Sequence, residues 1–171
     1  MPGPRNKRVR ILQLGARDEA DFISAVRASR KLHQNWVHPP GTRTKFREKV
    51  SLMQGPVNLA YCVRRVDNDA LVGCIEITQI VRGAFRSAYL GYYAFAGQER
   101  QGLMHAGLQH VVRLAFTELG LHRLEANIQP ENAPSIALVK ACGFRKEGYS
   151  PRYLKIRGRW RDHERWAIVA S

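Results

Sequence analysis

The stretch from Ser87 to Ala115 carries residue types and spacings suited to holding an anion. Ser87-Ala-Tyr-Leu-Gly-Tyr-Tyr93 has the aromatic and apolar content of a strand. Downstream, Met104, Leu108, Val111, Val112, Ala115 and Leu119 fall at i, i+4, i+7, i+8, i+11 and i+15, one face of a helix. Between them lies a short polar loop that ends at Gly102. The first amides of a helix have no intrahelical partner, and the helix dipole adds about half a positive charge there. A pyrophosphate fits such a place. An ordinary strand-to-helix connection is the alternative reading of the loop taken alone.

Other chemistry-bearing residues point to less. Cys62, Cys74 and Cys142 are odd in number and fit no metal spacing, so they read as buried, reduced thiols of a cytoplasmic protein. The six histidines show no paired ligand spacing, and His105 and His110, five residues apart, do not share a helix face. No metal is expected. The net charge of +14 predicts attraction to polyanions such as RNA, a phosphate-rich cofactor or acidic proteins. A diffuse, solvated basic surface is the competing reading, because the charges are scattered and form no compact basic block.

These residues need a scaffold, and 171 residues suffice for one domain. No apolar run approaches the ~20 residues that span a bilayer, and no leader peptide is read at the N-terminus. Met1 to Arg8 reads as a basic tail, and 9–171 as a single domain. Val9 to Leu14 alternates as a first strand. Asp18 starts a helix to about Leu32, with Phe22, Ile23, Val26 and Leu32 facing inward. Gln34 to Gly41 cannot continue it. Trp36 in that proline-rich segment either lines a cleft or plugs the edge of the core. Thr42 or Thr44 starts a second helix carrying Phe46, Val50 and Met53. Val57–Val66 and Ala70–Ile77 are strands about an Asp67-Asn-Asp69 turn. Gly120 ends the long helix. A strand from Arg123 to Ile128, a short helix opening at Pro130–Ser135, and paired strands Arg145–Tyr153 and Arg161–Val169 complete the chain. The order β-α-α-β-β-β-α-β-α-β-β makes a mixed α/β, or α+β, layer around one sheet.

Several of these segments together resemble one family. Tyr89-Leu-Gly-Tyr92, Gln98-Glu-Arg-Gln-Gly-Leu-Met104 and Leu119-Gly-Leu-His-Arg-Leu-Glu-Ala-Asn127 are similar to a GNAT N-acetyltransferase. Pro130-Glu-Asn-Ala-Pro-Ser135 and Gly143-Phe-Arg-Lys-Glu-Gly148 resemble the second cofactor motif of its RimJ/RimL branch. Val81-Arg-Gly-Ala-Phe85 and Gly158-Arg-Trp-Arg-Asp-His163 look RimJ-like. The resemblance implies the GNAT fold: a mixed, mostly antiparallel sheet splayed at the cofactor site and flanked by about four helices. It implies acetyl-CoA as co-substrate. The family's loop is commonly Gln/Arg-x-x-Gly-x-Gly/Ala. Here Glu99 takes its first position and Met104 its last, while Gly102 matches. A carboxylate beside a pyrophosphate is unfavourable unless it points away. Binding therefore falls to the backbone amides of Arg100, Gln101, Gly102, Leu103 and Met104, with Arg100 adding charge. The pantetheine arm is expected in the splayed gap, bonded to backbone around Phe95 and Ala96, with Asn132 assisting.

Acetyl transfer to an amine needs a neutral amine, a stabilised thioester oxyanion and a proton for the leaving thiolate. Roughly a tenth of an α-amine is neutral at pH 7, far more than of lysine. The resemblance points to Ser135 as the acid; a capping hydroxyl is the alternative for it, and a turn Asn for Asn132. The branch's carboxylate before the late Tyr-Leu pair is replaced here by Arg152, so Glu76 is the first candidate base. Asp162 and His163 follow, with a structural ion pair as the alternative. Trp36, Tyr92, Tyr153 and Asp162 are the candidate substrate contacts. The expected function is acetylation of a protein N-terminus, possibly of a ribosomal protein. A small-molecule amine acceptor, or a ribosome- or RNA-associated factor with weak catalysis, are the alternatives. A cytoplasmic monomer or homodimer with no membrane partner is expected.

Overall fold

The computed structural model describes residues 8–171; the expected basic tail lies outside them except for Arg8. Strand β1 (Val9–Gln13) leads through a 3-10 turn (Ala16–Asp18) to helices α1 (Glu19–Ala28), α2 (Arg30–His33) and α3 (Arg43–Leu52). Strands β2 (Leu59–Arg65), β3 (Leu71–Val81) and β4 (Ser87–Ala94) follow, then α4 (Leu103–Thr117). Strand β5 (Arg123–Ile128), helix α5 (Ala133–Ala141) and the hairpin β6 (Arg145–Ile156) and β7 (Arg159–Val169) end the chain. One seven-stranded sheet runs in the order β1-β2-β3-β4-β5-β7-β6.

Strand β4 meets β5 in parallel, and only over Ser87–Tyr89 against Arg123–Glu125. The neighbouring pairs β3–β4 and β5–β7 are antiparallel and continue well past that point. From Leu90 onward β4 therefore parts from β5. This is the splay expected of the sheet, and it opens the space in which the site lies.

Both faces of the sheet are covered, and the period of two on β2 shows how. Tyr61 and Val63 join a core with Leu108, Val111 and Val139, from α4 and α5. Ala60 and Cys62 face the other way, into a core with Phe22 and Phe46 from α1 and α3, and Phe95. Glycine lets α4 approach the sheet closely. A Cβ on Gly107 would stand 2.8 Å and 2.9 Å from the two γ-methyls of Val63. Gly107→Ala is expected to destabilise by about 1–3 kcal/mol through overpacking, despite alanine's advantage of about 1 kcal/mol in a helix. Urea unfolding measures this, and a stabilised variant would contradict it.

The first helix ends earlier than its periodicity suggests. Ser29 donates from Oγ to the Ala25 carbonyl at 2.6 Å and accepts the Ala96 amide at 2.8 Å. A hydroxyl that back-bonds within the helix and binds outside it breaks the run. The chain turns there, so His33 of α2 is buried and Leu32, expected inside, is 36% exposed.

Candidate active site

The splay produces a cavity of about 780 Å³ bounded by β4, the N-terminal ends of α4 and α5, and the α2 segment. It gathers Gly102, Arg100, Leu103, Met104, Tyr92, Asn132, Ser135 and Trp36, residues spread over a hundred positions of sequence. Trp36 is thereby a cleft residue.

The loop before α4 is built from left-handed turns. Gly97, Arg100 and Gly102 have φ of +85°, +59° and +71°. Gly102 is the N-cap of α4, and its conformation is the one L side chains adopt rarely. The amides of Leu103, Met104 and His105 form the first turn, which has no intrahelical acceptors. Glu99, the unfavourable carboxylate, curls back on this loop: its Oε2 accepts the Gly97 amide at 2.7 Å. The Met104 side chain is buried against β3, where a Cβ on Gly73 would strike its sulfur. Gln101 is spent on the loop itself. Its Nε2 donates to the Gly97 carbonyl at 3.1 Å and its Oε1 accepts from Arg65 at 2.9 Å.

Two hydroxyls face each other across the cleft. Tyr92 Oη lies 2.7 Å from Ser135 Oγ and donates to the Ser135 carbonyl at 2.9 Å. Burial pushes the Tyr92 phenol well above its ordinary range, so it stays protonated. Asn132 caps α5, its Oδ1 accepting the Ser135 amide at 3.3 Å. Its Nδ2 has no hydrogen-bond partner among the described residues. This cap turns Ser135 into the cleft's N-terminal helix wall.

Other expected site residues lie elsewhere. Phe95 is buried beneath the cleft and its amide is bonded to Val72 O at 2.8 Å, while the Ala96 amide is held by Ser29. Neither amide is open to a cofactor arm. Glu76 is paired with Lys49 and accepts from Tyr93 Oη at 3.4 Å, outside the cleft lining. The Tyr153 ring lies 6.2 Å, ring to ring, from His163. Asp162 accepts from Tyr149 Oη at 2.5 Å and from the Arg152 amide at 2.8 Å. Each of these is engaged in the frame of the β6–β7 hairpin or the sheet.

His33 is the cleft residue that periodicity hid. It is 5% exposed and packs edge-on against Tyr93 at 5.5 Å. Its Nε2 bonds the Ala94 carbonyl at 2.6 Å, which puts the proton on that nitrogen in the neutral ring. Desolvation moves its pKa below the ordinary value, with His38 adding to the effect against the Ala94 bond. The local signal was Ser29, a hydroxyl placed where it could end α1.

Burial pushes the Cys62 and Cys142 thiols up to about 12. Neither is a nucleophile at neutral pH. Among the described residues, no group of three His, Cys, Asp or Glu is placed to hold a metal ion, and no helix is long and apolar enough to cross a membrane.

Comparison with known proteins agrees with this geometry. Residues 8–145 match the model of the acetyltransferase (GNAT) domain. The chain is 32% identical over 158 residues to the probable N-acetyltransferase YjcK of Bacillus subtilis (strain 168), covering 92% of this chain and 84% of that protein. It is 38% identical over 103 residues to the [ribosomal protein uS5]-alanine N-acetyltransferase of Escherichia coli (strain K12), covering 60% of this chain and 53% of that protein. A spermidine N(1)-acetyltransferase of Vibrio cholerae is 26% identical over 158 residues, 91% of this chain and 90% of that one. Among solved structures, Mycobacterium smegmatis RimJ in complex with CoA-disulfide superposes with a TM-score of 0.87 at 30% identity, over 95% of this chain and 82% of that one. A splayed sheet, a left-handed glycine before a helix, and sequence relatives that are themselves N-acetyltransferases agree on one answer. The chain is an acyltransferase that belongs to the GNAT family, in its RimJ-like branch.

Proposed function

We propose that this chain transfers an acetyl group from acetyl-CoA to the N-terminal α-amine of a protein, with a ribosomal protein as the first candidate. The observation that carries the choice of acceptor is the charge of the cleft. Among its described lining residues Glu99 is the one carboxylate, and it is turned onto the Gly97 amide. A polyamine brings several cations, and desolvating them without carboxylates is costly. A peptide brings one amine, of which roughly a tenth is neutral at pH 7. The relative that acts on uS5 alanine supports the same acceptor.

The residues fit acetyl-CoA. First-turn amides of α4 and the Arg100 guanidinium suit the pyrophosphate, Asn132 Nδ2 suits the amide-rich arm, and Leu32, Val37, Leu103 and Leu138 suit its apolar parts. Once bound it supplies an activated acyl thioester. Ser135 and Tyr92 hold protons beside the cleft, and a hydroxyl there can donate to the departing sulfur. With Glu76 tied to Lys49, the amine's proton leaves through water. The surrounding positive charge lowers the amine's pKa and eases that step.

Thiol release from acetyl-CoA is the test, with peptides varied at the first residue beside spermidine and amino sugars. Turnover of peptides that disappears when the α-amine is blocked is expected. Turnover of small amines alone would overturn the reading.

A further inference from the structure

A second pocket of about 420 Å³ adjoins the cleft, and His33 and Val37 line both. It lies among α1, α2, the loop to α3 and the β6–β7 turn. Arg27, Arg30, Lys31 and Arg157 line it, with no carboxylate among the described lining residues. Some arginines elsewhere are paired, among them Arg47 with Glu19, Arg64 with Asp18 and Arg123 with Glu147. None of the four pocket cations takes part in an ion pair among the described residues.

Two of these cations are held in place by bonds that do not neutralise them. Arg27 Nε donates to the Gly41 carbonyl at 3.2 Å. Arg157 Nε donates to His38 Nε2 at 3.0 Å, joining the β6–β7 turn to the α2–α3 loop. Arg157 does so from a left-handed conformation, φ +49°, which costs an ordinary side chain about 1 kcal/mol or more. Like charges gathered and fixed in one concavity repel until an anion joins them.

We propose that this pocket receives acidic side chains of the acceptor peptide, just downstream of the amine that enters the cleft. The proposal rests on the peptide α-amine reading above and narrows it to acceptors with Asp or Glu near the N-terminus. Extended chain advances about 3.3–3.6 Å per residue, so roughly positions two to five of a peptide reach a pocket that shares a wall with the cleft. The lining favours peptide over RNA. Single-stranded RNA is tracked by long basic grooves with aromatic stacking platforms. This pocket is small, includes Val26, Val37 and Pro39, and has no Phe, Tyr or Trp among its described lining residues.

The experiment compares peptides with one fixed first residue and Asp or Glu, Gln, or Lys at positions two to five. It reads kcat/KM at low and at high salt. Each seated acidic side chain is expected to raise kcat/KM about fivefold over Gln, mostly through KM, with the gain shrinking in salt. The variant Arg30→Glu/Lys31→Glu is expected to reverse the order, favouring Lys-bearing peptides, while its thermal midpoint reports an intact fold. Equal kcat/KM for acidic and neutral peptides, or a preference unmoved by charge reversal, would overturn the proposal while leaving peptide acetylation standing. No turnover of any peptide beside turnover of spermidine would remove the underlying reading and this inference with it. A raised KM for acetyl-CoA in the variant would reassign the pocket to the cofactor. An RNA oligonucleotide that inhibits wild type but not the variant, with no acidic preference, would reassign it to RNA.

Discussion

Tyr92→Phe is expected to lower kcat about 100-fold, the lower end of what a positioned acid contributes. Its affinity for acetyl-CoA should stay within roughly threefold, because the ring remains and one hydroxyl is lost. The argument is local. Tyr92 Oη lies 2.7 Å from Ser135 Oγ, and burial holds the phenol protonated across the neutral range. Ser135→Ala keeps the phenol and should cost less. The double variant should cost no more than Tyr92→Phe alone if the two hydroxyls serve one proton, since residues acting as a unit are not additive. Stopped-flow thiol release together with calorimetric acetyl-CoA binding decides it. An unchanged kcat in Tyr92→Phe would reduce the pair to a structural tie between β4 and α5.

Arg64→Ala is expected to destabilise the fold by about 3–5 kcal/mol, the cost of leaving one partner of a buried ion pair alone. Total stabilities of about 5–15 kcal/mol are usual, so the variant should be largely unfolded on mild heating. The Arg64 side chain is 6% exposed and that of Asp18 1%. They meet at 2.9 Å, and Asp18 also accepts the Gly15 amide at 2.9 Å. Arg64 further donates to Asp21 at 3.1 Å and to the Asp69 carbonyl at 3.0 Å, so it ties β2 to the start of α1 and to the β2–β3 turn. Arg64→Met with Asp18→Asn removes both charges and keeps an acceptor for Gly15. That double variant should recover much of the loss in urea unfolding. A loss below 1 kcal/mol for Arg64→Ala would show that water reaches Asp18.

The element order was readable from periodicity and turn chemistry, and Gly102 was readable as the end of the loop before the long helix, though not its left-handed conformation. What could not be read were pairings across long sequence separation. Tyr92 and Ser135 lie 43 residues apart, and their contact follows from β5 inserting beside β4. Glu76 looked like a base because a lone carboxylate on a strand carries no mark of its partner; Lys49, on another element, takes it. The backbone around Phe95 and Ala96 was expected to bond the cofactor arm; the amides of these two residues are taken by Val72 and Ser29 through tertiary contact. His33 was hidden by an assumption of helical continuity that one serine hydroxyl breaks.

The parting of β4 from β5 also has a mechanical consequence. Three residue pairs join the first four strands to the last three, and beyond them the sheet is a seam. The Tyr92–Ser135 contact crosses the open end of that seam, one hydroxyl on each side. A ligand seated between the two sides acts as a suture. The two hydroxyls proposed to serve the chemistry also tie β4 to α5 across the seam.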